Sequence, residues 1–119
     1  MAVRDLFKKP YRNIAPGEAA EAIERGALLV DVREPHEWQS GHAPKARHVP
    51  LGQFAQRAHE LPTNRQIILV CRSGMRSSRA AKTLAAQHDD VMNVKGGMSA
   101  WARMGLPVVA KGGGPGRIA

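Results

Sequence analysis

Two short stretches of this chain, 27–32 (ALLVDV) and 66–70 (QIILV), are apolar almost without a break. A strand that faces water on one side alternates polar and apolar residues. An unbroken apolar run of this length therefore predicts a strand covered on both faces, as in a parallel sheet held between two layers of helices. The segments between them carry the helical period. Pro16 suits the first turn of a helix over 16–25, with Gly26 as its stop. Residues 52–60 (GQFAQRAHE) read as helical, and between 77 and 87 the alanines and Leu84 fall at helical spacing. Strand-like pieces at 11–14, around 48–51 and at 90–94, with a last helix over 98–104, complete an alternation that predicts the α/β class. Segment 34–48, rich in Pro, His and Gly, reads as irregular, and no internal repeat is found.

A chain of 119 residues has room for one domain. The expected organisation is a polar N-terminal arm over 1–10, a domain over 11–110 and a flexible, solvated tail over 111–119 (KGGGPGRIA). No strand precedes the glycine run of that tail and no Lys-Ser/Thr follows it, which sets it apart from a phosphate loop. Only Phe7, Tyr11, Trp38, Phe54 and Trp101 are aromatic, so small aliphatic side chains must fill most of the core. No run approaches the ~18 apolar residues of a membrane span, and the first residues are polar where a signal peptide needs an apolar stretch. A cytoplasmic protein with no membrane partner is expected.

The formal net charge of +8 favours anionic partners. Nucleic acid is not expected among them, because the chain lacks a basic helix with interleaved aromatics, a zinc-finger spacing and an aromatic stacking motif. Of the five histidines, His36, His42 and His48 stand six apart in the irregular segment, but no cysteine or carboxylate cluster joins them at zinc-site spacing. No metal and no organic cofactor are expected.

Cys71 is the only cysteine, so the chain cannot form an intramolecular disulfide, and any sulfur relay must use an outside thiol. A buried free cysteine is often no more than a small apolar residue. Here it ends an apolar strand, and Arg72, Ser73, Gly74, Met75 and Arg76 link it almost directly to a helix. Ligands of parallel α/β sheets bind beyond the carboxyl ends of the strands, where N–H groups and a helix N-terminus face the site. A tight loop in that place can curl successive N–H groups around the sulfur, with Gly74 relieving the steric limit. Helix end, amide nest and the charges of Arg72 and Arg76 all favour thiolate, and such surroundings bring a cysteine from ~8.5 to ~3.5–7.5. An activated nucleophile is expected, and the same cradle would hold the anionic outer sulfur of a persulfide.

Four separated segments resemble the rhodanese superfamily over roughly 11–108. They are DVREPHEW at 31–38, the stretch from Gly41-His42-Ala43-Pro44 to Pro50-Leu51, CRSGMRS at 71–77, and GGMSAW at 96–101 followed by Gly105-Leu106-Pro107-Val108. The resemblance implies a three-layer α/β/α fold with a five-stranded, mainly parallel sheet. It implies a sulfurtransferase in which a donor such as thiosulfate leaves its outer sulfur on Cys71 and an acceptor, cyanide or a thiol, takes it. A sulfur-acceptor protein is also compatible with it. On that resemblance Cys71 is the nucleophile, the N–H groups of Arg72, Ser73, Gly74, Met75 and Arg76 hold the transferred sulfur, and Arg72 draws in an anionic donor. Arg76 either meets the substrate or braces the loop against an acidic partner. Asp31 and Arg33 are supporting residues that fix the loop, with an ion pair pinning two segments favoured over substrate contact.

The chain departs from the family pattern at Ala43, at Lys45 in place of a glycine, at His48, at Met75 where many single-domain members have Asn, and at Glu37. Glu37 stands where two-domain thiosulfate enzymes carry a second arginine, and these changes bear on substrate choice. A Cys-x5-Arg phosphatase is the nearest enzymatic rival. Only four residues separate Cys71 from Arg76, a loop better sized for one sulfur than for a phosphate. A rhodanese-like interaction or sulfur-carrier module with little free-substrate turnover is the rival from another class. Members that have lost activity typically lack the cysteine, which this chain retains.

Overall fold

The computed structural model describes residues 10–119, so the polar arm assigned to 1–10 lies outside the described residues except for Pro10. Five strands, β1 (Arg12–Ile14), β2 (Leu28–Asp31), β3 (Arg47–His48), β4 (Ile67–Val70) and β5 (Val91–Val94), form one sheet in the order β1-β5-β4-β2-β3, with every pairing parallel. Four α-helices connect them, α1 (Pro16–Glu24), α2 (Pro35–Ser40), α3 (Leu51–Arg57) and α4 (Met75–Ala85), and α5 (Gly97–Arg103) follows β5.

The apolar runs are explained by what covers each face. Side chains alternate across a strand. Val30, Ile67, Leu69 and Val91 pack with Phe54 of α3 and with Ala80, Ala81 and Leu84 of α4. The residues of opposite parity, Leu29, Ile68, Val70, Met92 and Val94, pack with Ala19 and Ala22 of α1 and with Met98 and Trp101 of α5. Both faces of β2, β4 and β5 are buried, as a three-layer α/β/α fold requires. Cys71 follows β4 on the α3/α4 side, and Asn93, of the same parity as Val91, points into that layer too.

Two parts of the chain differ from the sequence expectation. Segment 34–48 contains a helix, α2, with Pro35 in its first turn and the Glu37 carboxylate accepting from the Glu34 N–H at 2.9 Å. The segment 111–119, expected as a flexible tail, is folded back onto the domain. Lys111 N–H donates to Gln39 O, Arg117 N–H donates to Ser40 O, and Val109 bridges both His42 and Pro115. Ile118 packs on the α1/α5 core, and the main chain of Arg117 lies so close to Gly41 that no side chain would fit between them. Glycine content alone suggested mobility, but backbone pairing and one apolar anchor fix the segment.

Candidate active site

Cys71 is buried at the carboxyl end of the central strand β4. The chain turns at Gly74, whose φ of 110° lies in the left-handed region that only glycine enters without strain, and α4 starts at the next residue. This turn brings the Gly74 N–H to 3.0 Å from Cys71 Sγ. The Ser77 hydroxyl, one turn into α4, reaches the sulfur at 3.3 Å. Burial pushes the thiol pKa up. The Ser77 hydroxyl and the N–H groups of Ser77, Gly74 and Ser73 pull it down more strongly, so the balance lies below the ordinary thiol value. The lowering comes from hydrogen-bond donors of the loop and of Ser77, whereas the sequence also points to guanidinium charge.

The start of α5 supports the loop from behind. Met98 N–H donates to Cys71 O at 2.8 Å and Ser99 N–H to Arg72 O at 3.0 Å. A Cβ on Gly97 would fall 2.4 Å from Cys71 O and 2.5 Å from Arg72 O, so only glycine allows this approach. The GG pair of the last motif is therefore part of the seat of Cys71.

Arg76 forms a two-point ion pair with Glu37, at 2.7 and 2.9 Å. The Arg76 guanidinium holds the Glu37 carboxyl at about 2, against partial opposition from burial and with help from the Glu34 N–H. Of the two roles left open for Arg76, bracing the loop against an acid is the one that this contact serves. The acid is the residue that departs from the pattern of two-domain enzymes.

A rhodanese-like domain model matches residues 15–104. The chain belongs to the rhodanese-like family. A sulfurtransferase of Allochromatium vinosum is 44% identical over 87 residues, covering 72% of this chain and 81% of that protein. The thiosulfate sulfurtransferase GlpE of Actinobacillus pleuropneumoniae serotype 7 is 34% identical over 104 residues, covering 86% of this chain and 96% of that protein. Among solved structures, a rhodanese-related protein of Thermoplasma volcanium superposes with a TM-score of 0.78 at 28% identity, covering 83% of this chain and 98% of that one.

Within this rhodanese-like site the remaining predicted residues fall at different distances from the sulfur. Ser73, Gly74, Met75 and Arg76 line an open depression beside the loop. Met75 is 78% exposed, so it forms rim and not core. The Arg72 side chain is exposed, and its Nε donates to the main-chain oxygen of Ala119 at 2.8 Å. Asp31 and Arg33 form a buried ion pair at 2.7 Å, and Arg33 Nη2 also donates to Gly41 O at 2.7 Å. That pair pins the end of β2 to the turn after α2. An ion pair pinning two segments is the arrangement expected from the sequence; the two segments are β2 and the Gly41 turn, and among the described residues no side-chain hydrogen bond runs from the pair to the 71–76 loop.

Sequence reasoning missed a polar cluster on the other side of the sulfur. Asn93 on β5 meets the Ser77 hydroxyl through Oδ1 and donates from Nδ2 to Asn13 Oδ1 at 2.9 Å. The available signal was a lone Asn inside VMNV, since a fully buried polar residue in a central strand calls for a partner.

The side chains of three of the five histidines, His42, His48 and His88, have hydrogen-bond partners. His42 and His48 stack on the two sides of Trp38, at centroid distances of 3.7 and 4.8 Å. No helix among the described residues is long and apolar enough to cross a membrane.

Proposed function

We propose that this protein is a sulfurtransferase that carries a sulfane sulfur as a persulfide on Cys71. The observation that carries the reading is the buried Cys71 sulfur, met by the Gly74 N–H and the Ser77 hydroxyl, in a loop whose Ser73, Gly74, Met75 and Arg76 line an open depression. These donors favour thiolate, the form that attacks sulfur. The thiolate attacks the outer sulfur of an anionic donor such as thiosulfate. A bond from Sγ to that sulfur forms, the donor's own S–S bond breaks, and sulfite leaves with the electron pair. A thiophilic acceptor, cyanide or a thiol, then takes the outer sulfur and the Cys71 thiolate returns. No cofactor is called for. The relatives named sulfurtransferase and thiosulfate sulfurtransferase support the reaction class.

Arg76, the arginine that ends the loop, is engaged by Glu37, which weighs against a phosphatase that would need it for phosphate. The exposed Met75 beside the basic Arg79 suits an acceptor thiol carried on a protein as well as a free one. A single cysteine that works as a thiolate fits a reducing compartment such as the cytoplasm.

Intact mass after incubation with excess thiosulfate tests the reading in wild type and Cys71→Ser. The expected result is a gain of about one sulfur atom in wild type only, removed by cyanide with release of thiocyanate. Absence of any gain with thiosulfate, mercaptopyruvate or a persulfide donor would leave a binding module as the better account.

A further inference from the structure

Ser77 has one hydroxyl hydrogen and three acceptors within its reach. They are Cys71 Sγ at 3.3 Å, Gly74 O at 3.3 Å and Asn93 Oδ1, the nearest of the three. Cys71, Ser77 and Asn93 are each at most 2% exposed, so bulk water does not serve whichever acceptor is left out. The sense of the Asn93 amide follows from its other contacts. Its Nδ2 faces the main-chain carbonyl of Gly74 at 3.4 Å, a group that only accepts, and Asn13 Oδ1 at 2.9 Å. Turning the amide over would set oxygen against oxygen at Gly74. Oδ1 is therefore the atom presented to Ser77, and it accepts without donating.

One hydrogen cannot satisfy Oδ1 and the sulfur together. We propose that Asn93 is a positioning residue that competes with Cys71 for the Ser77 hydrogen, so that the hydroxyl turns according to the charge on the sulfur. With Cys71 as a thiol, S–H donates to Ser77 Oγ and Ser77 donates to Asn93, which satisfies every group. Ionisation draws the Ser77 hydrogen to Sγ and strands a buried Asn93 oxygen, a cost that opposes the thiolate. In the persulfide, a step that rests on the function proposed above, the negative charge sits on the outer sulfur. The inner Sγ then needs no donor and the Ser77 hydrogen returns to Asn93. The competition thus favours the loaded protein over the bare thiolate and shifts the exchange of thiosulfate for sulfite towards the persulfide.

The charged groups around Cys71 are Arg72 in the loop, Arg76 on α4, its partner Glu37 on α2, Asp31 and Arg33 at and beyond the end of β2, and Lys95 after β5. All of them are retained in the variants that follow, so their fields are common to the comparison.

The test is the pH dependence of Cys71 alkylation by iodoacetamide in wild type, Ser77→Ala, Asn93→Leu, Asn93→Ala and the double variant Ser77→Ala/Asn93→Leu. Loss of the donor in Ser77→Ala raises the midpoint. Loss of the competitor in either Asn93 variant lowers it, by about half a unit to one unit. In the double variant the Asn93 effect disappears, because there is no hydrogen to compete for. Opposite signs are not what a merely structural role for Asn93 would give. A midpoint that rises in the Asn93 variants, or an Asn93 shift that persists without Ser77, overturns the proposal. Asn93→Ala serves if Asn93→Leu does not fold. A second reading is the loaded fraction at a fixed ratio of thiosulfate to sulfite and at a pH above the alkylation midpoint of wild type, expected to fall several-fold in Asn93→Leu; an unchanged fraction there overturns the persulfide half. Failure of every variant to load, with the alkylation shifts intact, counts against the sulfurtransferase reading and leaves the competition for hydrogen standing.

Discussion

Glu37 and Arg76 meet end to end, and their contact ties α2 to the first turn of the helix that follows Cys71. The Glu37 side chain is 10% exposed and that of Arg76 is 35% exposed, so solvent screens one end of the pair. Folding lowers the Glu37 pKa from 4.5 to about 2. A carboxylate with a depressed folded pKa contributes stability that is fully present above its unfolded value and is lost as pH falls through the folded value. Wild type is therefore expected to exceed Glu37→Gln by about 1–2 kcal/mol at pH 7. The difference should shrink between pH 4.5 and 2, as followed by urea unfolding at several pH values. The sequence made Cys71 legible, because the strand end, the glycine turn and the helix start are all local patterns. It showed Glu37 only as a missing arginine. That its carboxylate would take Arg76, 39 positions away, depends on how two helices approach, and no local pattern records that.

At the scale of elements, the placing of Cys71 depends on the seam between the 71–76 loop and α5. Substituting Gly97 by Ala would place a methyl group within 2.5 Å of the loop's main chain and would force a side chain into φ 59°. We expect Gly97→Ala to destabilise by about 1–3 kcal/mol or more and to slow alkylation of Cys71. Gly52→Ala in α3, where a Cβ meets nothing within 4 Å, should stay within about 0.5 kcal/mol of wild type. Thermal unfolding and a thiol-reactivity assay on the two variants check this. Strands β2, β4 and β5 were readable because burial on both faces leaves unbroken apolar runs. Helix α2 was hidden by its composition, although Glu34, Pro35 and Glu37 spell a helix start. Asn93 was passed over for the converse reason: its neighbours said strand, and its partners Ser77 and Asn13 lie 16 and 80 positions away.

Across the whole molecule, the 111–119 segment closes the edge where α2, the turn at Gly41 and Val109 come together. Removing it deletes the hydrogen bonds from Lys111 and Arg117 to α2 and uncovers the surface on which Ile118 packs. A loss of about 2–4 kcal/mol is expected, from roughly 1 kcal/mol per hydrogen bond plus the apolar burial, and the urea midpoint measures it. Sheet order carries a further consequence. Strand β1 is the first to be synthesised, yet its sheet neighbour is β5. Asn13 waits for Asn93, and the carbonyls of Cys71 and Arg72 wait for the N–H groups of Met98 and Ser99. A nascent chain that has emerged only as far as the end of α4 has its cysteine but neither the strand nor the helix that seats it. The reactive sulfur is thus armed late in translation, when nearly the whole domain has left the ribosome.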